Sequence, residues 1–530
     1  MRQSTRLVVN SLAMYAKTLG SVALALITTR LVIGELGLAD YGVFLAVGAT
    51  GGLFMVASNG LTQAASRHMS FEVGTGDDRA LREYFNSALV LFAIIASVLL
   101  VLGWFGGPLV VSALTVPEGR ESAAAWVVFS TAAMFAIITL ETAFTAIAVA
   151  YQKHYLQALT GFITVLVRFI GALLLAFVTG DALVWYAWIV VVAHLVSFGL
   201  VIFLVMRSVP TARVEPSLFR MHRVRKLVTY GGWSLVGTLS WRARMQGAVI
   251  MLNILFGPIV NASYGIATQL AAFQSRMTGP IRRATQPAIV SAHGGEKTGM
   301  TRDLTLMAGK YISVAGAVIL FPIAFEAETI ISLWLGAERL EELTGVVGLM
   351  RGIAAWMTLG FLAAGLGLAN QAEGRIATLS IVTVLFDAAA LGGALAVIKL
   401  GWNDPIAVPL TTVVTMSGLV LFHVFHVGPK VGITFVDWAV GTLWPTAIAF
   451  TVGLGAAFAV EAAMPPGPVR ALVLSGVTGA GLVGALYAFG MDDRERQHFR
   501  RLAGGVLRKV TGRKSGRKGA GGGEAPAGSG

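Results

Sequence analysis

Gly34-Glu-Leu-Gly-Leu-Ala-Asp-Tyr-Gly42 returns later in the chain as Gly257-Pro-Ile-Val-Asn-Ala-Ser-Tyr-Gly265. Gly34, Tyr41 and Gly42 find identical residues in Gly257, Tyr264 and Gly265. Each copy is a short glycine-bounded turn between two long apolar stretches, which is how a duplicated helical unit is marked in sequence. A membrane helix needs about 20 mostly apolar residues. Outward from the first copy, such stretches lie near 12–33, 41–63, 86–106, 122–147, 157–178 and 183–206. Around the second they lie near 228–256, 258–279, 306–325, 346–369, 376–399 and 404–426, followed by a pair near 436–460 and 468–489. Each copy therefore occupies the turn between the first and second helix of a six-helix block. An even number of crossings per block leaves both copies in the same membrane orientation. Two parallel lobes about a central cavity follow.

The expected fold is an all-α polytopic membrane protein of about 14 transmembrane helices. A first lobe covers 1–206, a basic linker 207–227 and a second lobe 228–426. Helices 13 and 14 lie within 427–490, and a basic, then Gly/Ala-rich tail occupies 491–530. Composition agrees. Charged residues are 13% of the chain and hydrophobic residues 56%, whereas soluble domains carry about 25% charge. Lipid must be the main solvent. Loop charge sets orientation, because cytoplasmic loops hold the excess Lys and Arg. Basic residues follow every second span: Arg67, Arg79 and Arg82, then Lys153, then Arg207 to Lys226, then Arg282, Arg283, Lys297 and Arg302, then Arg375 and Lys430. The intervening loops are short or acidic, with Glu35 and Asp40, Glu118 and Glu121, Asp181, and Glu338, Glu341 and Glu342. A multi-pass protein of a bacterial cytoplasmic membrane with both termini inside is expected. The first span is too long for a signal-peptide core and reads as a retained helix.

Several function classes are excluded. The chain has no cysteine, hence no disulfide framework, thiolate nucleophile or cysteine metal site. No His-Glu-x-x-His, phosphate-binding loop or Gly-x-Ser-x-Gly element is present, so no enzyme, cofactor or metal is expected. The net charge of +13 is concentrated near the C-terminal end, where from residue 494 onward Arg494, Arg496, Arg500, Arg501, Arg508, Lys509, Arg513, Lys514, Arg517 and Lys518 stand against Glu495 and Glu524. Without interleaved aromatic residues this is no nucleic-acid site. It reads as a cytoplasmic segment beside anionic membrane lipids.

Thr28-Thr-Arg30-Leu-Val-Ile-Gly-Glu-Leu-Gly37, Asp40-Tyr-Gly-Val-Phe44 and Asn59-Gly60 carry a family resemblance. The sequence resembles the oligosaccharide flippases of bacterial polysaccharide export, in the multidrug/oligosaccharidyl-lipid/polysaccharide superfamily. The resemblance implies alternating-access movement of undecaprenyl-pyrophosphate-linked oligosaccharide from the cytoplasmic to the outer leaflet. It also implies a polymerase and glycosyltransferases of the same pathway as partners. Peptidoglycan-precursor flippases are the near alternative. Lys17 stands where their first basic residue falls, but Ser21, Val22, Ala23 and Leu24 follow in place of a further charged pair. Multidrug exporters of the superfamily usually stop at twelve helices. A non-transporting scaffold for polysaccharide synthesis, docking through the basic loop and tail, is the alternative from another class.

Charges within apolar spans mark the candidate site, since an ionisable group at bilayer depth costs a few kcal/mol or more and normally faces a cavity or a partner. Arg168 lies in span 5, Arg242 and Arg244 in span 7, and Lys17 and Arg30 bracket span 1. A pyrophosphate leaving water needs bidentate donors, which a guanidinium fork supplies and lysine does not. Arg168 with one of Arg242 or Arg244 is the expected clamp; two residues apart on a helix, the latter cannot both face one spot. Arg242 shares a face with Gln246 and is preferred. Asp387, in span 11, is a coupling-ion site or an ion-pair partner for a cavity arginine, and Glu141, deep in span 4, is a second such carboxylate. His194 in span 6 reads as a packing residue. Trp185, Trp188, Trp334, Trp402, Trp438 and Trp444 fall near span ends, as in an interfacial aromatic belt.

Overall fold

The computed structural model describes residues 3–373, 376–493, 495–497 and 500. Arg375, Arg494 and the tail from Arg501 onward, including its expected lipid contacts, lie outside the described residues, as do the side chains of residues 1–19, Lys17 among them. Every described regular element is helical. In the amino-terminal half these are α1 (Gln3–Thr75), α2 (Asp78–Ala113), α3 (Glu121–Ala150), α4 (His154–Leu175) and α5 (Ala182–Ser208). The other half has α6 (Met221–Phe256), α7 (Pro258–Gly294), α8 (Thr298–Phe325), α9 (Ala327–Leu335), α10 (Ala337–Glu342), α11 (Val346–Leu362), α12 (Ala364–Glu373), α13 (Ile376–Lys399) and α14 (Ala407–Phe422). Last come α15 (Phe435–Trp438), α16 (Trp444–Ala463) and α17 (Pro468–Ala485).

The two repeat turns are tighter than expected, and they break at different places. In α1 the helical path is interrupted only at Gly37, with φ 75° and ψ 169°, so spans 1 and 2 abut across a single residue. In the second copy the break is Gly257, with φ 85°, and Pro258 opens α7 at the first helical position, where its missing N–H costs nothing. Positive φ is open to glycine at little cost. The repeat aligns Gly257 with Gly34, yet Gly34 stays helical and Gly37 does the bending.

Among the described residues, ten helical stretches are long and apolar enough to cross a membrane, or eleven if α11 and α12, bent by 48°, form one span. That is fewer than the expected fourteen. Spans 1 and 2 meet at the Gly37 break without an intervening loop and count once, and α6 and α7 carry Arg242, Arg244, Gln246, Asn253, Asn261, Gln269 and Gln274, which dilute their apolar character. Trp438 departs from the aromatic-belt expectation: it is buried, and its Nε1 donates to the Leu362 carbonyl at 3.2 Å.

Helices α1 to α5 pack on one another, α6 to α8 pack with α11 to α14, and α16 and α17 lie together against α8. The halves meet mainly where α1 packs against α6 and α7. The side of the bundle holding Gly37 and Gly257 is called the turn end here, and the opposite side, with residues 207–220, the linker end. One buried apolar cluster at the turn end draws on both halves, joining Val32, Ile33 and Tyr41 to Leu252, Ile266 and Leu349. At the linker end the cores separate. One cluster centres on Met69, Phe85, Phe92 and Ile147, the other on Ile289, Ile312, Leu366 and Val424.

The turn end of the first half is tied by one arginine between two carboxylates. Arg120 donates to Asp181 at 2.6 and 2.9 Å and to Asp40 at 3.0 Å, with a second, shorter contact to Asp40. Asp181 also caps α5, accepting from the backbone of Leu183 and Val184 at 3.0 and 3.3 Å. These acidic residues marked loops in the sequence; here they join three turns. Hydrogen bonding to Arg120 holds the Asp181 carboxyl below the usual carboxylate range. A depressed pKa stabilises the fold above the unfolded value near 3.9 and stops doing so as pH falls through the folded one. Replacing Arg120 with alanine is expected to cost about 1–3 kcal/mol, read as a lower melting temperature in detergent at neutral pH. The gap from wild type should narrow below roughly pH 4; a gap independent of pH would show that the ion pairs contribute nothing.

Candidate functional site

Directly on the linker side of the shared cluster, each half holds one arginine against aromatic rings. In the first half α4 presents Arg168 to α5, where its Nη2 donates to the Tyr186 hydroxyl at 3.2 Å. The Tyr186 ring packs on Phe44 with centroids 4.9 Å apart, and Tyr41 lies within electrostatic range of Arg168. No carboxylate pairs with Arg168 among the described residues. In the second half Arg244 of α6 donates through Nε to Asp387 of α13 at 2.6 Å, with both side chains buried. Its guanidinium carbon stands 4.7 Å from the Trp356 ring centroid, and its Nη2 is buried without a hydrogen-bond partner among the described residues.

The candidates read from sequence separate clearly. Arg244, not the preferred Arg242, is the buried member of the pair; Arg242 is half-buried, as is Gln246. The sequence could not rank them, because the facing partner, Asp387, lies on a helix more than a hundred residues away. Arg30 is exposed and reaches the Leu333 carbonyl at 3.4 Å. Of the two carboxylates, Asp387 is ion-paired, whereas Glu141 is half-buried and accepts from the Ser197 hydroxyl at 3.4 Å, with no cation paired to it among the described residues. His194 turns back on its own helix, with Nδ1 2.8 Å from the Val190 carbonyl. No group of three or more ligating side chains among the described residues could hold a metal ion.

Polar contacts between the halves surround this site and were not legible as pairs. Gln269 donates to Thr29 at 2.9 Å, and Asn261 donates to the Gly42 carbonyl at 2.9 Å. Asn253 accepts from the Thr115 backbone at 2.9 Å, and Trp334 donates to the Leu26 carbonyl at 2.8 Å. Beside Thr29 and Gln269 opens a mostly apolar cleft of about 640 Å³, lined by Leu26, Phe273, Ile319 and Ile330 among others. The arrangement offers a cationic, aromatic-lined centre below a closed turn end, with an apolar cleft to one side.

The buried ion pair supplies a direct test. Asp387→Ala strands the Arg244 guanidinium, which is expected to cost about 3–5 kcal/mol, whereas Asp387→Leu with Arg244→Met should recover most of that loss. Detergent melting curves of the three proteins decide it; an Asp387→Ala protein as stable as wild type would mean that water reaches the pair.

Comparison with known proteins places this geometry. The sequence matches the family described as polysaccharide biosynthesis protein over residues 7–293, a little over half of the chain. No curated protein matches it by sequence. Among solved structures, an inward-facing multidrug resistance MATE family transporter of the MOP superfamily shares 14% identity at a TM-score of 0.67, covering 78% of this chain and 94% of its own. The lipid II flippase MurJ in an inward closed conformation shares 13% identity at a TM-score of 0.68, covering 90% of this chain and 99% of its own. An outward-facing MATE family transporter of the same superfamily has a TM-score of 0.54 at 14% identity, covering 78% and 95%. The fold is that of these polytopic membrane transporters, and the chain belongs to the polysaccharide biosynthesis protein family.

Proposed function

We propose that the protein is a flippase that moves undecaprenyl-pyrophosphate-linked oligosaccharide from the cytoplasmic to the outer leaflet of a bacterial inner membrane. Residues 1–206 and 228–426 act as the two lobes, 207–227 as the linker between them, and 427–490 as a terminal helix pair, for fourteen helices in all, with both termini cytoplasmic. The observation that carries the reading is Arg168: a guanidinium inside the bundle, held by tyrosine, with no carboxylate paired to it among the described residues. Such a group is stabilised by an incoming anion, and its planar fork matches phosphate oxygens. Arg244 adds a second guanidinium whose Nη2 lacks a partner among the described residues. Arg30, Arg242 and Lys17 add positive charge along α1 and α6.

The apolar cleft beside Thr29 is suited to the lipid chain, so that headgroup and tail are recognised by chemically opposite surfaces. Alternating access follows from the core. The halves share one apolar core at the turn end and have distinct cores at the linker end, an arrangement compatible with loading from the cytoplasm, and rocking would exchange the two ends. Asp387 serves as the fixed counter-charge of Arg244. Glu141, with only a serine hydroxyl beside it among the described residues, is the group through which a proton could couple to the cycle. The role is transport, with no covalent step, and glycosyltransferases and a polymerase of the same pathway supply and consume the cargo.

Arg168→Ala is expected to lower polymer export at least tenfold, consistent with the loss of two charged hydrogen bonds of about 1.5–3 kcal/mol each, while membrane levels of the protein stay unchanged. Lipid-linked glycan should accumulate on the cytoplasmic side, and Arg168→Lys should recover export only in part. Full polymer yield from the alanine strain overturns the arginine clamp.

A further inference from the structure

An aromatic belt needs only a membrane surface to explain it, but two tryptophans at the turn end of the first half stand beside something more. A recess of about 290 Å³ opens between the starts of α3 and α5, lined by Gly119, Ser122, Trp126, Asp181, Val184 and Trp185 among others. Ser122, Trp126 and Trp185 are exposed. The Trp126 ring is fixed by its neighbours. It stands edge-on to Trp104 and Phe129, with centroids 6.4 and 6.2 Å away, and tilted to Trp188 at 6.3 Å. These rings come from α2, α3 and α5, so the recess lies on the flank of the first half, apart from the arginine centre between the halves.

Arg120 sets the sign of charge there. One guanidinium serves two carboxylates, Asp40 and Asp181, so the clasp keeps one net negative charge. Asp181 brings that charge to the wall of the recess. Its Oδ1 accepts from Arg120 and from the backbone of Leu183 and Val184, whereas its Oδ2 accepts from Arg120 alone among the described residues. A carboxylate oxygen has two lone-pair sites, which leaves Oδ2 room for one more donor. Glu118 and Glu121, on either side of Gly119 and Arg120 in the chain, are exposed and carry the same sign. An anion is therefore repelled. A metal ion finds one carboxylate and no group of three ligating side chains among the described residues. An organic ammonium is matched twice, by the carboxylate oxygen and by the indole faces, whose quadrupoles attract cations. A membrane surface supplies such ammonium groups on its phospholipids. We propose that the recess is a lateral site for the headgroup of phosphatidylethanolamine. Its primary ammonium donates to Asp181 Oδ2 against Trp126 and Trp185, and Ser122 and the Trp185 Nε1 offer donors to the phosphodiester behind it. The bound lipid supplies the positive charge that the Arg120 clasp lacks and so strengthens the junction of the three turns.

The site is independent of the transport reading, because it uses neither Arg168 nor Arg244 and its test measures bound lipid, not export. The full-length protein in detergent is incubated with equal amounts of dioleoyl phosphatidylethanolamine, phosphatidylcholine and phosphatidylglycerol, and the lipid it retains is measured by native mass spectrometry. Phosphatidylcholine keeps the positive charge but has no N–H, so it isolates the hydrogen bond to Asp181; phosphatidylglycerol reverses the sign. Phosphatidylethanolamine should be retained over phosphatidylcholine by roughly tenfold, as a hydrogen bond between charged groups allows. Asp181→Asn and Trp185→Leu should each lower retained phosphatidylethanolamine at least threefold and leave phosphatidylglycerol unchanged, and Trp185→Phe should recover part of the loss. Added phosphatidylethanolamine should raise the melting temperature of the unsubstituted protein by mass action and fail to do so after Asp181→Asn. Equal retention of phosphatidylethanolamine and phosphatidylcholine is the behaviour of an unspecific belt and overturns the site. So does phosphatidylethanolamine retention that survives Asp181→Asn. Should Asp181→Asn not fold, Trp185→Leu decides, since it leaves Arg120 and both carboxylates in place: unchanged retention there defeats the inference.

Discussion

A guanidinium in a lipid-solvated bundle must be neutralised, hydrogen-bonded or reached by water, and the rest of this structure is arranged around that constraint. Arg244 meets it internally through Asp387 and the face of Trp356. Arg168 meets it, among the described residues, through the phenolic oxygen of Tyr186. Among the described residues the two halves, similar in outline, therefore differ electrostatically: one arginine is ion-paired to a carboxylate and the other hydrogen-bonded to a phenol.

Much of the scaffold was legible before any coordinate, because lipid imposes a simple rule on composition and length. The apolar runs mark helices, the Tyr-Gly repeat marks a duplicated unit, and Asp40 and Asp181 mark turns. Pairing was less legible. Arg120 joins Asp40 to Asp181 across long stretches of chain, and nothing in the local sequence of any of the three announces the other two. Which of Arg242 and Arg244 meets Asp387 was hidden for the same reason: a helical wheel shows that they diverge but not which direction α13 occupies. Gly34 and Gly37 are equally able to bend by residue type, so residue identity alone does not show that Gly37 is the one that does.

The number of crossings shows where apolarity stops being a sufficient guide. Helices α6 and α7 carry the polar side chains that contact α1 and face the candidate site. Residues suited to handling a charged cargo are those that weaken a hydropathy signal. The segments hardest to read as membrane helices are thus the ones richest in functional candidates.

Gly37 has a mechanical consequence. On one side of it, Leu26, Thr29 and Arg30 are tied to the second half through Trp334, Gln269 and Leu333; on the other, α1 continues to Thr75 among the helices of the first half. The break separates two helical arms of α1 joined by one residue. At 1.5 Å per residue the arm from Leu38 to Thr75 is about 57 Å long, nearly twice a hydrocarbon core of about 30 Å. A rotation of roughly ten degrees in that single backbone unit sweeps the far end through about 10 Å. Helix α1 is in effect a crank whose pivot has no side chain.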